Sequence, residues 1–300
     1  MEYTILGKTG LKISRTGLGG IPIQRIEAEL TKPLIQKMLD SGINYIDTAR
    51  GYTVSEEYLG YGLEGIREHF VIATKSMART KEAMAADIDI SLKNLRTDYI
   101  DLYQVHNATP EQVEQVMAPG GALEALLEAK AAGKIGHIGI TLHSVDLFRK
   151  AVEFPWVETI MFPYNIVETQ AEDLVKKCAE KGIGFICMKP LAGGAIEDAT
   201  LALRFIAQNP HVTVAIPGMA EVSELTQNVA ACADRSPLSD EEKAKLTQLP
   251  TRLEDALDAL EADHAFLTEG GVFPEELIKN FIKSKRAELA EMAKIPTPAE

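Results

Sequence analysis

The chain has 300 residues, a formal net charge of −13, 46% apolar and 25% charged side chains. That length suits one large barrel or two smaller domains, and the balance is ordinary for a globular enzyme. The acidic surplus argues against nucleic acid and anionic membrane surfaces as partners.

Two short segments, 3–6 and 12–14, flank Gly7-Lys8-Thr9-Gly10 and predict a β-hairpin. Strand and helix patterns then alternate. Strands are predicted over 15–18, 45–48, 70–74, 99–105, 135–141, 159–162, 184–188 and 212–216. Between them, helices are predicted over 28–41, 56–67, 81–94, 122–132, 145–153, 171–181, 200–208 and 222–233, with apolar residues three or four apart. Gly42, Gly133 and Gly182 stand where left-handed helix C-caps would fall. Strict alternation of eight strands and eight helices predicts a parallel sheet closed as a (β/α)8 TIM barrel. No GxGxxG follows the first strand, which counts against a dinucleotide-binding open sheet.

After residue 247 the pattern changes. A helix is predicted over 251–267, with Leu253, Leu257 and Leu260 on one stripe, and Gly270-Gly271 breaks it. Pro274 opens a second helix whose apolar face is Leu277, Ile278, Phe281 and Ile282, and 295–300 reads as a frayed tail. The expected organisation is a barrel over 1–247 and a helical extension over 248–300. Cys178, Cys187 and Cys232 lie far apart without ligand spacing, so no metal site is expected. The sparse cysteines, the polar N-terminus and the lack of any membrane-length apolar run lead us to expect a cytoplasmic protein.

Asp47, Lys75 and His106 fall at the C-terminal ends of three successive predicted strands, and Tyr52 follows Asp47 in a loop. Strand ends on this side of a barrel carry the chemistry. Each residue alone has a plainer reading: a packing Tyr, a strand-end Lys, a His capping a carbonyl, a turn Asp. Their common register is what gives them weight. Tyr52 can donate a proton, and a neighbouring ammonium would lower the phenol from its usual value of roughly 10. Lys75 can supply that ammonium and Asp47 can hold it, while His106 can orient and polarise a substrate carbonyl. None of the four is a hydride source, so a cofactor must be.

Residues 1 to about 247 resemble the aldo-keto reductase family. The resemblance rests on Gly42-Ile43-Asn44-Tyr45-Ile46-Asp47-Thr48-Ala49-Arg50-Gly51-Tyr52 with Ser55-Glu56, on Ile72-Ala73-Thr74-Lys75, and on Asp98 through His106. Gly139-Ile140-Thr141, Pro163-Tyr164-Asn165, Met188 through Gly194 and Ala215-Ile216-Pro217-Gly218 match later strand ends. It implies reversible reduction of aldehydes and ketones with NADPH or NADH, with Tyr52 as acid/base. It also implies a cofactor site drawn from Gly19, Gly20, Asp47, Thr141, Asn165, Lys189, Leu191, Gly193, Gly218 and Asn228.

Three departures matter. Met161 stands where many members have Gln, Thr141 is followed by Leu142-His143 rather than Asn, and Gly218 and Glu224 stand where Lys and Arg grip a 2′-phosphate. The last predicts a weakened preference for NADPH. Candidate substrate-pocket residues are Ile21, Ile23, Tyr52, His106, Asn107 and Met161. Two rival readings are a non-catalytic nicotinamide-binding barrel, serving as redox sensor or scaffold, and a lyase or isomerase working without nicotinamide; steady-state turnover separates them. From Leu249 to about Arg286 the chain resembles the C-terminal end of bacterial-type glutamine synthetases, without that enzyme's catalytic barrel. A fusion, natural or engineered, is the implied origin; the plain reading is a helical hairpin covering the barrel exterior, and the alternative is self-association, since an apolar helix face must be buried somewhere.

Overall fold

Tyr3–Ile5 (β1) and Lys12–Ser14 (β2) pair antiparallel, with Tyr3 opposite Ser14, and form the expected hairpin. The computed structural model describes residues 1–196, 198–234, 236–245, 253–262, 264, 268 and 274–292. Eight parallel strands follow: Leu18–Gly19 (β3), Tyr45–Asp47 (β4), Val71–Ser76 (β5), Ile100–Val105 (β6), Ile135–Thr141 (β7), Thr159–Pro163 (β8), Gly184–Met188 (β9) and Val214–Ala215 (β10). They pair in chain order. The first and last strands also meet, because Gly17 N donates to Ala215 O (2.9 Å), Gly19 N to Pro217 O (2.9 Å) and Ala215 N to Arg15 O (3.0 Å). These bonds close the barrel.

The helices are Thr31–Asp40 (α1), Ser55–Gly62 (α2), Lys81–Asn94 (α3), Pro110–Met117 (α4), Ala122–Ala131 (α5), Val145–Ala151 (α6), Glu172–Glu180 (α7), Ala199–Gln208 (α8), Val222–Ala233 (α9) and Asp240–Lys245 (α10). The first lies between β3 and β4. The sequence did not predict α4 or α10. The start of α4 carries a capping box, with Thr109 and Gln112 bonded to each other's backbone, and Pro110 follows the cap. The expected helix over 56–67 stops at Gly62, and Gly65 then turns with φ +82°. Gly42, Gly133 and Gly182 adopt the left-handed φ that the sequence predicted.

Side chains two apart on a strand share a face. Tyr45, Ala73, Leu102, Met161, Ile186, Val214 and Ile216 pack together with Leu6 and Ile13 of the hairpin. The hairpin therefore packs into the barrel interior. Its approach is close: a Cβ on Gly7, at φ +54°, would lie 2.3 Å from Gly184 N. A second, larger cluster lies between strands and helices and includes Leu34, Ile72, Leu126, Ile160 and Leu225.

The chain divides into two compact units, Met1–Leu246 and Thr247–Glu300. In the second, helices Leu253–Ala262 and Glu275–Met292 enclose Leu257, Ile278 and Ile282, with Leu260 partly buried against them. Arg286 bonds Asp258 (2.6 Å) and Glu261 (2.7 Å). Of the expected apolar face, Leu277 and Phe281 are exposed, at 52% and 49%. The expected helix over 251–267 extends into residues outside the described set, as do Gly270-Gly271 and 295–300. Among the described residues no helix is long and apolar enough to cross a membrane.

Candidate active site

Asp47 ends β4, Lys75 lies next to last in β5, and His106 follows β6. Period two carries Tyr45 and Asp47 inward on β4, Ala73 and Lys75 on β5, and Leu102, Gln104 and His106 along β6. The apolar member of each series packs in the barrel interior, and the polar member stands above it, toward the C-terminal end. The loop after β4 stays bonded to β5: Thr48 N donates to Ala73 O and Arg50 N to Lys75 O, both at 2.9 Å. Tyr52 N then donates to Ala49 O (3.0 Å), which turns the phenol back over the strand ends.

Lys75 and Asp47 are 1% and 2% exposed. Lys75 Nζ donates to Asp47 Oδ2 and to Thr48 O (2.7 Å). Gln104 Nε2 donates to the other carboxylate oxygen of Asp47 at 3.1 Å. The sequence reading passed over Gln104, although its place two residues before His106 puts it on the same face. The Lys75 ammonium lies 4.8 Å from the centre of the Tyr52 ring. Tyr52 and His106 meet edge to face, with ring centres 6.0 Å apart.

Burial pushes the Asp47 carboxyl up, against the pull of Lys75 and Gln104. Burial likewise raises the Tyr52 phenol, and Asp47 adds to the rise, while Lys75 draws it down. Lys75 therefore acts in the expected direction, but desolvation outweighs it and the phenol stands above its usual value. Burial, then Lys75, Arg79 and His143, push His106 down to about 3. Its imidazole is neutral at neutral pH and can still donate one N–H.

The strands are also held from outside. Buried Glu56 accepts from Thr74 Oγ1 (2.8 Å), Ser91 Oγ (2.7 Å) and Arg50 Nη1 (2.8 Å), which ties α2, β5 and α3 together around the Lys75 strand.

A cavity of about 430 Å³ opens above these groups. It is lined by all four candidate catalytic residues and by Gly19, Gly20, Thr141, Lys189, Leu191, Gly193 and Gly218. Of the expected cofactor residues, Asn165 and Asn228 are not on the lining. Asn165 is occupied by its own loop and the next: Nδ2 donates to Glu168 Oε2 (2.6 Å) and to Lys189 O after β9 (2.9 Å), and Oδ1 accepts from Val167 N and Glu168 N (3.0 Å each). Asn228 is buried on α9.

Of the expected substrate-pocket residues, Ile21, Tyr52, His106 and Met161 line the cavity. Ile23 is fully buried in the core, and Asn107 is off the lining. Arg25 and His143 line it without having been singled out as site residues. Folding alone brings Arg25 there, through the turn Pro22–Arg25.

The loop after β9 is strained. Lys189 (φ +52°) and Ala192 (φ +47°) adopt the left-handed region without being glycine, beside Gly193 (φ +72°). Such residues cost on the order of 1–3 kcal/mol each and gather where a ligand is gripped. A Cβ on Gly193 would meet nothing within 4 Å, so that glycine is required by its φ and leaves open space above it. Among the described residues no group of three or more His, Cys, Asp or Glu is placed to hold a metal ion.

A closed (β/α)8 barrel with a buried Lys–Asp pair, a phenol and a neutral imidazole at one cavity defines a class of acid/base barrel enzymes. The chain belongs to the aldo/keto reductase family, whose sequence model matches residues 15–200, and it is an oxidoreductase. It is 27% identical to L-galactose dehydrogenase of Arabidopsis thaliana over 79% of this chain and 90% of that protein. It is 33% identical to the aldo-keto reductase YhdN of Bacillus subtilis over 67% of this chain and 66% of that protein. A solved structure from Pseudomonas aeruginosa, assigned to the aldo-keto reductases, is 29% identical; the match covers 77% of this chain and 94% of that one, with a TM-score of 0.70. The glutamine synthetase catalytic domain model also matches, over residues 207–300. That match begins inside α8 and crosses β10 and α9, which are elements of the barrel.

Proposed function

We propose that this chain reversibly reduces aldehydes and ketones with a nicotinamide cofactor, and that Tyr52 donates the proton. The observation that carries the reading is the buried Lys75–Asp47 pair with its ammonium 4.8 Å from the Tyr52 ring, at the floor of the cavity. The residues fit such a cofactor. Arg25 and Lys189, two cations on the lining, suit its phosphates. The strained loop through Lys189 and Gly193 offers backbone and open space beside them. A reduced nicotinamide supplies the hydride to the carbonyl carbon when bound.

The chain's own residues do the rest. The His106 N–H orients the carbonyl by donating to its oxygen. As negative charge develops there, the Tyr52 hydroxyl gives its proton to that oxygen, which becomes the alcohol. Lys75 stabilises the phenolate left behind, Asp47 keeps Lys75 charged and in place, and Gln104 keeps Asp47 aligned. Solvent reprotonates Tyr52. A phenol raised by burial remains a proton carrier throughout the neutral range.

Cofactor preference is part of the proposal. The Glu224 carboxylate accepts from Ala220 N (2.7 Å) and Glu221 N (3.1 Å) at the start of α9. A side-chain anion thus takes the backbone donors that would otherwise welcome a phosphate. We infer a weak preference for NADPH, with NADH also serving. We assign no ligase role to the segment matched by the glutamine synthetase model.

Tyr52→Phe tests the reading. It removes the proton donor and keeps the ring, so kcat for aldehyde reduction should fall by about 10²–10⁴-fold. Cofactor binding, read by fluorescence titration, should persist. Turnover within tenfold of the wild type would refute the assignment.

A further inference from the structure

We propose that His143 is a specificity-determining residue: its Nε2 accepts a hydrogen bond from a substrate hydroxyl near the reacting carbonyl, and Asn107 sets it up to do so. The inference rests on the carbonyl-reductase reading above and deepens it, since it selects hydroxyaldehydes and hydroxyketones over their deoxy analogues.

His143 lies just past β7, exposed, on the lining of the cavity that holds Tyr52, Lys75 and His106. Its Nδ1 is 2.9 Å from Asn107 Oδ1. An amide oxygen only accepts, so Nδ1 carries the proton and donates it. The second nitrogen, Nε2, is then left with a lone pair. Burial and the nearby Lys189 hold the ring below its ordinary value, against Glu168, so the neutral form with that lone pair prevails. Both imidazoles line the same cavity, and the partner of His143, Asn107, is the residue that follows His106.

Asn107 is held for this task. It directly follows His106 and takes φ +46°, a left-handed conformation that asparagine tolerates better than most residues. Its backbone N donates to Thr141 Oγ1 at 2.8 Å, which ties the end of β6 to the end of β7. The amide's contact with Nδ1 sets the tautomer of His143. Much of the remaining lining is apolar, including Ile21, Met161, Met188, Leu191 and Ile216. A hydroxyl entering such a cavity needs an acceptor or donor to replace water, and Nε2 of His143 provides one. His106 then donates to the carbonyl oxygen while His143 accepts from the hydroxyl, and the two contacts fix the substrate's orientation.

Lactaldehyde and propanal differ by one hydroxyl and make the test. The wild type should favour lactaldehyde by about tenfold in kcat/KM, the size of one net hydrogen bond. His143→Leu should bring the ratio near one, mostly through a higher KM for lactaldehyde, and His143→Gln, which keeps an acceptor, should restore part of it. Independently of turnover, long-range ¹H–¹⁵N spectra at pH 7 should show His143 protonated on Nδ1, and Asn107→Ala should abolish that bias. Turnover of both aldehydes with a ratio unchanged in His143→Leu overturns this inference alone, as does a wild-type His143 protonated on Nε2. Failure of the wild type to reduce either aldehyde overturns the underlying reading, and this inference with it.

Discussion

The pH dependence of stability at this site follows from His106. His106 stands at about 3 in the folded chain, against an ordinary value near 6.5. Between those values the unfolded chain binds a proton that the folded chain refuses. The contribution of this group to stability is therefore present above pH ~6.5 and is lost as pH falls toward 3. Replacing it with Gln, which cannot titrate, removes that slope. We predict that the fall in Tm from pH 7 to pH 5 is smaller in His106→Gln than in the wild type by about 4–8 °C, since these values give ~2 kcal/mol over that range and ~1 kcal/mol shifts Tm by about 2–4 °C. Equal falls in thermal melts of the two proteins would show that His106 is not held neutral. The four candidate catalytic residues were legible because charge or a ring marks each of them and three stand at predicted strand ends. Gln104 was not, because an uncharged amide stands out only once its partner, Asp47 on another strand, is known. His143, a ring just past β7, stood out in the sequence only as a departure after Thr141, because its partner Asn107 reaches it from the end of another strand.

Elements differ in how far local pattern determines them. The strands Ile135–Thr141 and Gly184–Met188 and the helices Lys81–Asn94 and Val222–Ala233 begin and end where the sequence predicts, because their neighbours carry clear turn or capping signals. At the barrel seam, 15–18 gives way to the shorter, later Leu18–Gly19, and 212–216 shrinks to Val214–Ala215. Pairing there joins the first strand to the last, about two hundred residues away, and no local pattern encodes that register. Glu224 caps α9, and on the proposed reading its negative charge stands where a 2′-phosphate would lie. Glu224→Lys should raise the NADPH-to-NADH ratio of kcat/KM at least tenfold. Glu224→Gln keeps an acceptor for the two backbone N–H groups and loses only the charge, so it should raise the ratio by less. A wild type already favouring NADPH by more than a hundredfold in parallel assays would overturn the proposal.

At the scale of the whole molecule, the barrel was predictable because one strand–helix unit recurs eight times and each unit buries its own face. The C-terminal unit has no such repetition. The sequence placed Leu277, Ile278, Phe281 and Ile282 on one face, but at about 100° per residue that face spreads about 140° around the helix, and Leu253–Ala262 packs on the side that carries Ile278 and Ile282. It buries Ile278 and Ile282 and leaves Leu277 and Phe281 exposed one turn apart. Burying a Leu or Phe fully contributes ~1.5–3 kcal/mol, and each of these is already about half-buried, so a two-fold pairing of this face offers ~3–6 kcal/mol from four side chains. Association itself costs about 4–15 kcal/mol, which makes the balance close. Self-association through this face should therefore be weak and concentration-dependent rather than permanent. Light scattering across a wide concentration range should show the mass of the full chain rising, and the double variant Leu277→Glu, Phe281→Glu staying at a single chain. A wild type that remains a single chain throughout, or a variant that associates equally, would remove this surface from consideration and leave its exposure as a property of the isolated unit.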